Sequence, residues 1–320
     1  MRQIPSVYSE LNLVEEKVQK IIDKNFNRLS PLLYKLLLDW FISAFSNFKD
    51  IEKYLILIYL INSDFIFYRK NGIIVDYETF YKDKTLEIPK INLIKISKDL
   101  KIPKESVRRK IASLEKAGVI KKTGKKIIID RSAYETVKPQ KTLKNTSNFL
   151  SLFSKILVEN KITKNSISSE NISSVMKKNF SFCWYQFYKF LFSYVDRLKK
   201  QYSDLETVCI GLLILYNAIT HKEFRKKDLN LKKWRSEISS ADKVGLNAMS
   251  ISDISKIPRS TVIRKLRTLE RKNILKINNQ KLITINFSEQ ELKVASKNQN
   301  EVIKDLTNLI VRIFNQINIS

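Results

Sequence analysis

Apolar positions recur every three or four residues through most of this chain, and the long runs Asn12–Asn25, Pro31–Asn47, Ile172–Tyr202, Thr146–Glu159 and Ser288–Gln316 predict helices. The stretch from Asn92 to Asp130 is more segmented. Asn92 is placed to cap a short helix carrying Leu93, Ile96 and Leu100 on one side. A break, Lys101-Ile102-Pro103, follows, and Pro103 sits at the start of a second helix, where its missing N–H is not needed. That helix turns Val107, Ile111 and Leu114 inward, and Gly118 ends it. VIKKTGKKIIID then predicts two short strands around Thr123-Gly124, a hairpin with a basic tip. The same order returns with Ile251 and Ile254, a turn at Lys256-Ile257-Pro258, an inward set of Val262, Leu266 and Leu269, and strands around Asn278-Asn279.

The recurrence extends to residue identity. Lys101–Asp130 aligns without a gap on Lys256–Ile285. The identical pairs are Ile102/Ile257, Pro103/Pro258, Val107/Val262, Arg109/Arg264, Lys110/Lys265, Leu114/Leu269, Glu115/Glu270 and Lys126/Lys281. Upstream, Asp23–Trp40 aligns on Lys177–Tyr194, matching Lys24/Lys178, Asn25/Asn179, Phe26/Phe180, Tyr34/Tyr188, Lys35/Lys189 and Leu37/Leu191, and Asp50 falls on Asp204. The apolar runs Tyr54–Asn62 and Cys209–Asn217 follow at the same places, with one residue of slip. A period this long indicates duplicated domains, whereas solenoid repeats recur every ~20 to 50 residues. The expected organisation is two related halves, 1–160 and 161–320, whose helix-turn-helix-hairpin units span 91–130 and 247–286.

Helix, tight turn, helix, small hairpin is the order of a winged helix-turn-helix. The runs IPKESVRRKIASLEKAGVI and IPRSTVIRKLRTLERKNIL resemble the second helix and wing start of bacterial winged-helix transcriptional regulators of the MarR and IclR types. The resemblance covers the repeated blocks and nothing outside them. It implies a mainly α fold with two tandem winged helices, in which the second helix of each enters the major groove of double-stranded DNA. Two departures stand out. Those families usually place Gly in the turn, where this chain has Lys101 and Lys256. MarR wing tips typically carry an Asp-x-Arg pattern, where this chain has KKTGKK and INNQK, which suits phosphate contact better than minor-groove insertion.

At 100° per residue, burying Val107, Ile111 and Leu114 turns Glu105, Arg109, Ala112, Ser113 and Lys116 outward. Their counterparts are Ser260, Arg264, Arg267, Thr268 and Arg271. Arg109 and Arg264, identical and central, are the expected base-edge readers, with Arg108 and Ile263 flanking them and Ile263 suited to thymine methyls. Lys104, Ser106, Arg259 and Thr261, near the helix starts, suit phosphate. So do the wing lysines Lys122, Lys125, Lys126 and Lys281. Because Glu105, Ala112 and Arg108 stand where the second half has Ser260, Arg267 and Ile263, the two faces are expected to read different sequences.

Charge strengthens this picture and composition limits it. A net charge of +27 points to a polyanionic partner. The chain is also rich in Lys, Ile and Asn, whose codons are AT-rich, so lysine alone discriminates poorly. Arginine discriminates better: six of the fourteen lie within the repeated blocks. With one histidine, His221, and glycines scattered at positions 72, 118, 124, 211 and 245, no histidine triad, paired-His metal site or phosphate-binding glycine loop is evident, and no cofactor is expected. Cys183 and Cys209 lie in apolar stretches and read as buried free thiols. The aromatic run from Asn179 to Val195 reads as core before it reads as a ligand pocket, and His221 as an exposed loop residue. No signal peptide or long apolar span is seen, which makes a cytoplasmic protein without a membrane partner the expectation. Three functions are in contention: a transcriptional regulator acting as a monomeric pseudo-dimer, a plasmid- or phage-type replication initiator, and an assembly factor whose winged helices bind protein. The arginine-rich helices argue against the third.

Overall fold

A computed structural model describes residues 13–82, 85–88, 92–123, 126–130, 139–202, 204–239 and 245–319. Among them, fifteen helices and five short strands form a mainly α fold with two small antiparallel sheets. The order of elements repeats. Helices α1 (Glu15–Lys24), α2 (Phe26–Phe48) and α3 (Ile51–Lys70) correspond to α8 (Ser169–Lys178), α9 (Phe180–Tyr202) and α10 (Leu205–Thr220). The short α4 (Tyr77–Lys82) corresponds to α11 (Lys222–Arg225) and α12 (Leu231–Ser239). Then α5 (Leu93–Leu100) and α6 (Lys104–Lys116) match α13 (Ala248–Ser255) and α14 (Arg259–Arg271). Helices α7 (Gln140–Glu159) and α15 (Glu289–Ile319) close the two series.

Local chemistry sets the boundaries. The segment Ile172–Tyr202, expected as one helix, is two: the chain breaks at Asn179, whose side-chain amide donates to the Val175 carbonyl at 3.1 Å. Asn25 does the same to Ile21 at 3.0 Å between α1 and α2, so the identical Asn25/Asn179 pair marks a repeated joint. Asp50 and Asp204 cap α3 and α10, accepting backbone N–H bonds from Glu52 and Lys53 and from Thr207. Helix α2 was expected to start at Pro31 but begins at Phe26, with the proline inside. The missing N–H costs one helical bond, and the Ser30 hydroxyl instead donates to the Asn27 carbonyl at 3.4 Å. Helix α7 likewise starts earlier than expected, at Gln140.

The two halves interdigitate. Within each half α2 packs on α7 and α9 on α15; between them α1 packs on α15, α8 on α7, α2 on α10 and α3 on α9. The joints correspond in detail. Asn27, second residue of α2, donates its backbone N–H to Leu229 and its side-chain amide to Phe224 and Lys227 of the second half. Ser181, second residue of α9, exchanges bonds with Val75 of the first, at 2.9 and 2.8 Å. Phe26 meets Trp234 edge-on at 5.0 Å, and Phe180 meets Phe80 at 5.4 Å. Phe180, Cys183, Trp184, Phe187, Tyr188, Phe190, Leu191 and Tyr194 are all buried, so the aromatic run is core. Each such side chain contributes ~1.5 to 3 kcal/mol by leaving water.

Strand β1 (Thr85–Ile88) was not anticipated. It pairs with β3 (Lys126–Asp130), which pairs with β2 (Ile120–Thr123), in the order β1-β3-β2. In the second half β4 (Leu275–Ile277) pairs with β5 (Ile283–Ile285), and Leu246 bridges to Ile283 where β1 lies in the first. Gly245 permits that approach: a Cβ there would stand 2.8 Å from Leu282 Cβ and 3.0 Å from the Ile283 carbonyl oxygen. No single helix among the described residues is long and apolar enough to cross a membrane.

Candidate nucleic-acid interface

Helices α6 and α14 are seated alike. Asn92 and Asn247 cap α5 and α13 through Lys95 and Ser250 N–H groups, at 3.0 and 2.8 Å. Both preceding turns pass through a left-handed residue, Lys101 at φ 51° and Lys256 at φ 63°, a conformation that costs a side-chain-bearing residue ~1 to 2 kcal/mol. Val107, Ile111 and Leu114 are buried under α6, and Val262, Leu266 and Leu269 under α14. Gly118, at φ 73°, turns the chain after α6, and Asn273, at φ 52°, after α14. One inward residue was misjudged. Ile254 of α13 is 43% exposed, and the buried side chain there is Ser255, whose hydroxyl accepts the Ile257 N–H at 3.2 Å.

An ion pair that sequence reasoning missed locks each helix down. Lys265 meets the α10 cap Asp204 at 2.7 Å; Lys110 meets the α3 cap Asp50 and also Glu52, the latter at 3.3 Å. Both partners were visible as the identical pairs Lys110/Lys265 and Asp50/Asp204, but their separation along the chain hid the contact. Helices α3 and α10 touch, and the α3 cap Asp50 is near enough to Glu206, in the first turn of α10, for its charge to act there. Burial, and then the charges of Asp204 and Asp50, push the Glu206 carboxyl upward. Both helices are therefore anchored on the N-terminal caps of two helices that touch each other, α3 and α10. The first turn is also held from the other half: Lys199 of α9 binds Glu52 at 2.6 Å and the Lys101 carbonyl at 3.0 Å, and Asp196 pairs with Lys101.

Outside these anchors the two faces differ. On α6, Lys104, Glu105, Arg108, Arg109, Ala112 and Lys116 are exposed, while Ser106 and Ser113 are half-buried. Arg108 pairs with Glu105 at 2.8 Å, and Arg109 donates to the Ser106 hydroxyl at 3.4 Å. On α14, Arg259, Ser260, Arg264, Arg267 and Arg271 are exposed. None of these four arginines has a carboxylate partner among the described residues. Thr268, expected to face outward, is half-buried, as are Ile263, expected to flank that face, and Thr261, expected near the helix start; the Thr268 hydroxyl donates to the Arg264 carbonyl at 3.2 Å, which turns it along the helix. In the first hairpin Lys122 pairs with Glu115 at 2.8 Å and Lys126 with Glu87, so part of the basic tip is neutralised. Lys125 and Gly124 lie outside the described residues. Lys281 is exposed in the second hairpin, at φ 59°. His221 is half-buried at the junction of α10 and α11 rather than exposed.

No group of three or more His, Cys, Asp or Glu among the described residues is arranged to hold a metal ion. Cys183 and Cys209 are fully buried, and burial pushes both thiols up to about 12. No protein-family model, curated protein or solved structure matches the chain.

Proposed function

We infer that the chain is a sequence-specific, double-stranded DNA-binding transcriptional regulator, cytoplasmic and held on the nucleoid when bound. In this reading α5–α6–β2–β3 and α13–α14–β4–β5 are two winged helices, and α6 and α14 are their recognition helices. One observation carries it. Arg259, Arg264, Arg267 and Arg271 project from a rigidly seated helix with no carboxylate partner among the described residues, so nothing in the fold uses their charge. A guanidinium fork matches both phosphate oxygens and the O6/N7 edge of guanine. Because the paired faces differ and both helices belong to one interdigitated chain, one chain grips one asymmetric, bipartite site.

Arg264→Ala and Arg109→Ala each lose ~1 to 3 kcal/mol of specific affinity and relax preference at one position, whereas Lys104→Ala weakens all sequences alike. With ~6 to 10 phosphate contacts, affinity falls ~10³- to 10⁵-fold between about 50 and 200 mM salt. Selected-site sequencing, salt titration and light scattering of the complex measure these. Arginine variants that keep full sequence preference, or two chains on a perfect palindrome, would overturn the reading. The same unequal faces also suit a replication initiator, which would bind tandem origin repeats in a fixed orientation. Mapping the occupied sites separates the two, since tandem repeats at an origin would select the initiator.

A further inference from the structure

Two cavities occupy corresponding places in the two halves. A cavity of about 140 Å³ lies in the second half between α9, α10, α12, α15 and the α14–β4–β5 unit. The corresponding place in the first half holds a cavity of about 50 Å³. Counted from the aligned caps Asp50 and Asp204, two of the differences between them bear on size. Gly211 and Val208 of α10 stand where α3 has Leu57 and Tyr54, and all four line their respective cavities. A Cβ at Gly211 would meet only Leu269 Cδ1, at 4.0 Å, so packing does not require glycine there. An apolar void of this size matches engineered cavities that hold a single benzene ring, and left empty it destabilises its surroundings.

Arg235, Trp234 and Gln201 supply donors at this cavity, beside the hydroxyls of Tyr34 and Thr207 and the side-chain amide of Gln299. Arg235 is half-buried and held by neutral oxygens, Nε on Gln299 Oε1 and Nη2 on Asn300 Oδ1, both at 2.6 Å. It forms no ion pair with any carboxylate among the described residues. Burial lowers its proton affinity, and the charges of Tyr34 and Asp23 offset this only in part. Trp234 Nε1 and Gln201 Nε2, on two further side chains of the wall, are buried donors without an acceptor. In the first half the residues aligned with Trp234 and Arg235 are Phe80 and Tyr81, and no cation among the described residues lines the cavity.

We propose that this cavity is a ligand site for one compact apolar carboxylate, with a ring-sized body against Gly211 and Leu269 and its carboxylate on Arg235. The wall includes Leu269 near the end of α14, together with Ile274, Leu275 and Ile285 of its hairpin. The ligand therefore bears on α14 and leaves α6 alone, which makes one half of the pseudo-dimer responsive and the other fixed. Binding stands apart from the DNA reading; the effect on α14 rests on it.

Calorimetry on the full chain uses cyclohexanecarboxylate and its neutral amide. The acid should bind at one per chain, more tightly than the amide. Gly211→Leu, which restores the first half's side chain, should abolish binding of both. Arg235→Met should weaken the acid ~10- to 100-fold and move the amide little, the loss expected of a charge-assisted contact. Equal binding of acid and amide, undiminished binding to Gly211→Leu, or no saturable binding at millimolar acid would each overturn the site. Should Gly211→Leu not fold, the Arg235→Met comparison decides alone. The bound acid should then change affinity for the half-site lost in Arg264→Ala and not for the one lost in Arg109→Ala. Acid binding with both half-sites unaffected would overturn the coupling and leave the site standing.

Discussion

Replacing Lys265 by methionine removes an ammonium from the underside of α14 while keeping most of its length. The side chain is 13% exposed and its partner Asp204 33% exposed, so the bridge lies between the surface and buried regimes. Exposed pairs contribute ~0.2 to 1 kcal/mol, and breaking a fully buried one costs ~3 to 5 kcal/mol. Asp204 is not stranded by the change, because it still accepts from the Thr207 N–H at 2.8 Å and hydroxyl at 2.9 Å. A loss of about 2 kcal/mol follows, with a coupling of ~1 to 2 kcal/mol in a double-mutant cycle with Asp204→Asn. The pH dependence gives a second readout. Burial raises the Asp204 carboxyl, but Lys265 and Thr207 more than offset it and hold it below its ordinary value. A carboxyl lowered by folding stabilises the fold above its unfolded value of ~3.9, and that stability is lost as pH falls through the folded value. In Lys265→Met the burial remains and the cation is gone, so the carboxyl rises and acid destabilisation begins at higher pH than in the parent. Urea unfolding across acid pH measures both effects. A coupling below ~0.3 kcal/mol, with superimposable acid limbs, would refute the claim that this bridge seats the helix.

Lys256→Gly relieves a left-handed turn residue that pairs with no described carboxylate, and should raise stability by up to ~1 kcal/mol once the added freedom of the unfolded chain is subtracted. Lys101→Gly gains less because it sacrifices the Asp196 pair, and equal gains in urea unfolding would contradict this. Expressed separately, the halves should fail to fold, since α1 and α8 would each lose the helix they pack on, and should assemble when co-expressed; a folded, monomeric single half would rule this out. Cys183 and Cys209 should resist alkylation at neutral pH until the protein unfolds, because burial holds both thiols protonated; stoichiometric labelling of the native protein would count against it.

Local signals of the sequence were dependable where a side chain acts on its own neighbourhood. Asn92 caps α5, Gly118 closes the turn after α6, and the inward triad of each repeat is buried, because capping, positive φ and helical periodicity are settled within a few residues. What stayed hidden depends on partners far along the chain. β1 is a short strand whose only reason to form is its register with β3, more than thirty residues later. Ile254 followed helical spacing, yet no neighbouring element covers it. Pro31 looked like a helix start because its rescue by Ser30 is a side-chain bond that no periodicity reveals. The anchors Lys110 and Lys265 were legible as repeated letters, but their role as bridges became visible only once the caps of α3 and α10 were in place.

The internal repeat separates what the scaffold requires from what the surface presents. Ile102/Ile257, Val107/Val262 and Leu114/Leu269 are identical and buried, Lys110/Lys265 is identical and bridges to a helix cap, and Pro103/Pro258 is identical and precedes a helix. Each of these identities has a structural cause. Glu115/Glu270 lies toward the hairpin end of the helix, and Glu115 there balances Lys122. Arg109/Arg264 differs from all of them. It is exposed in both halves, centred on the outward face, with no carboxylate partner among the described residues, so the fold gives no reason for two arginines in the same place. Around it the outward residues diverge, Glu105 against Ser260, Arg108 against Ile263 and Ala112 against Arg267, although the helices beneath are seated alike. A scaffold repeated faithfully, with one repeated arginine and altered neighbours, is what reading two unequal half-sites with a single chain would demand.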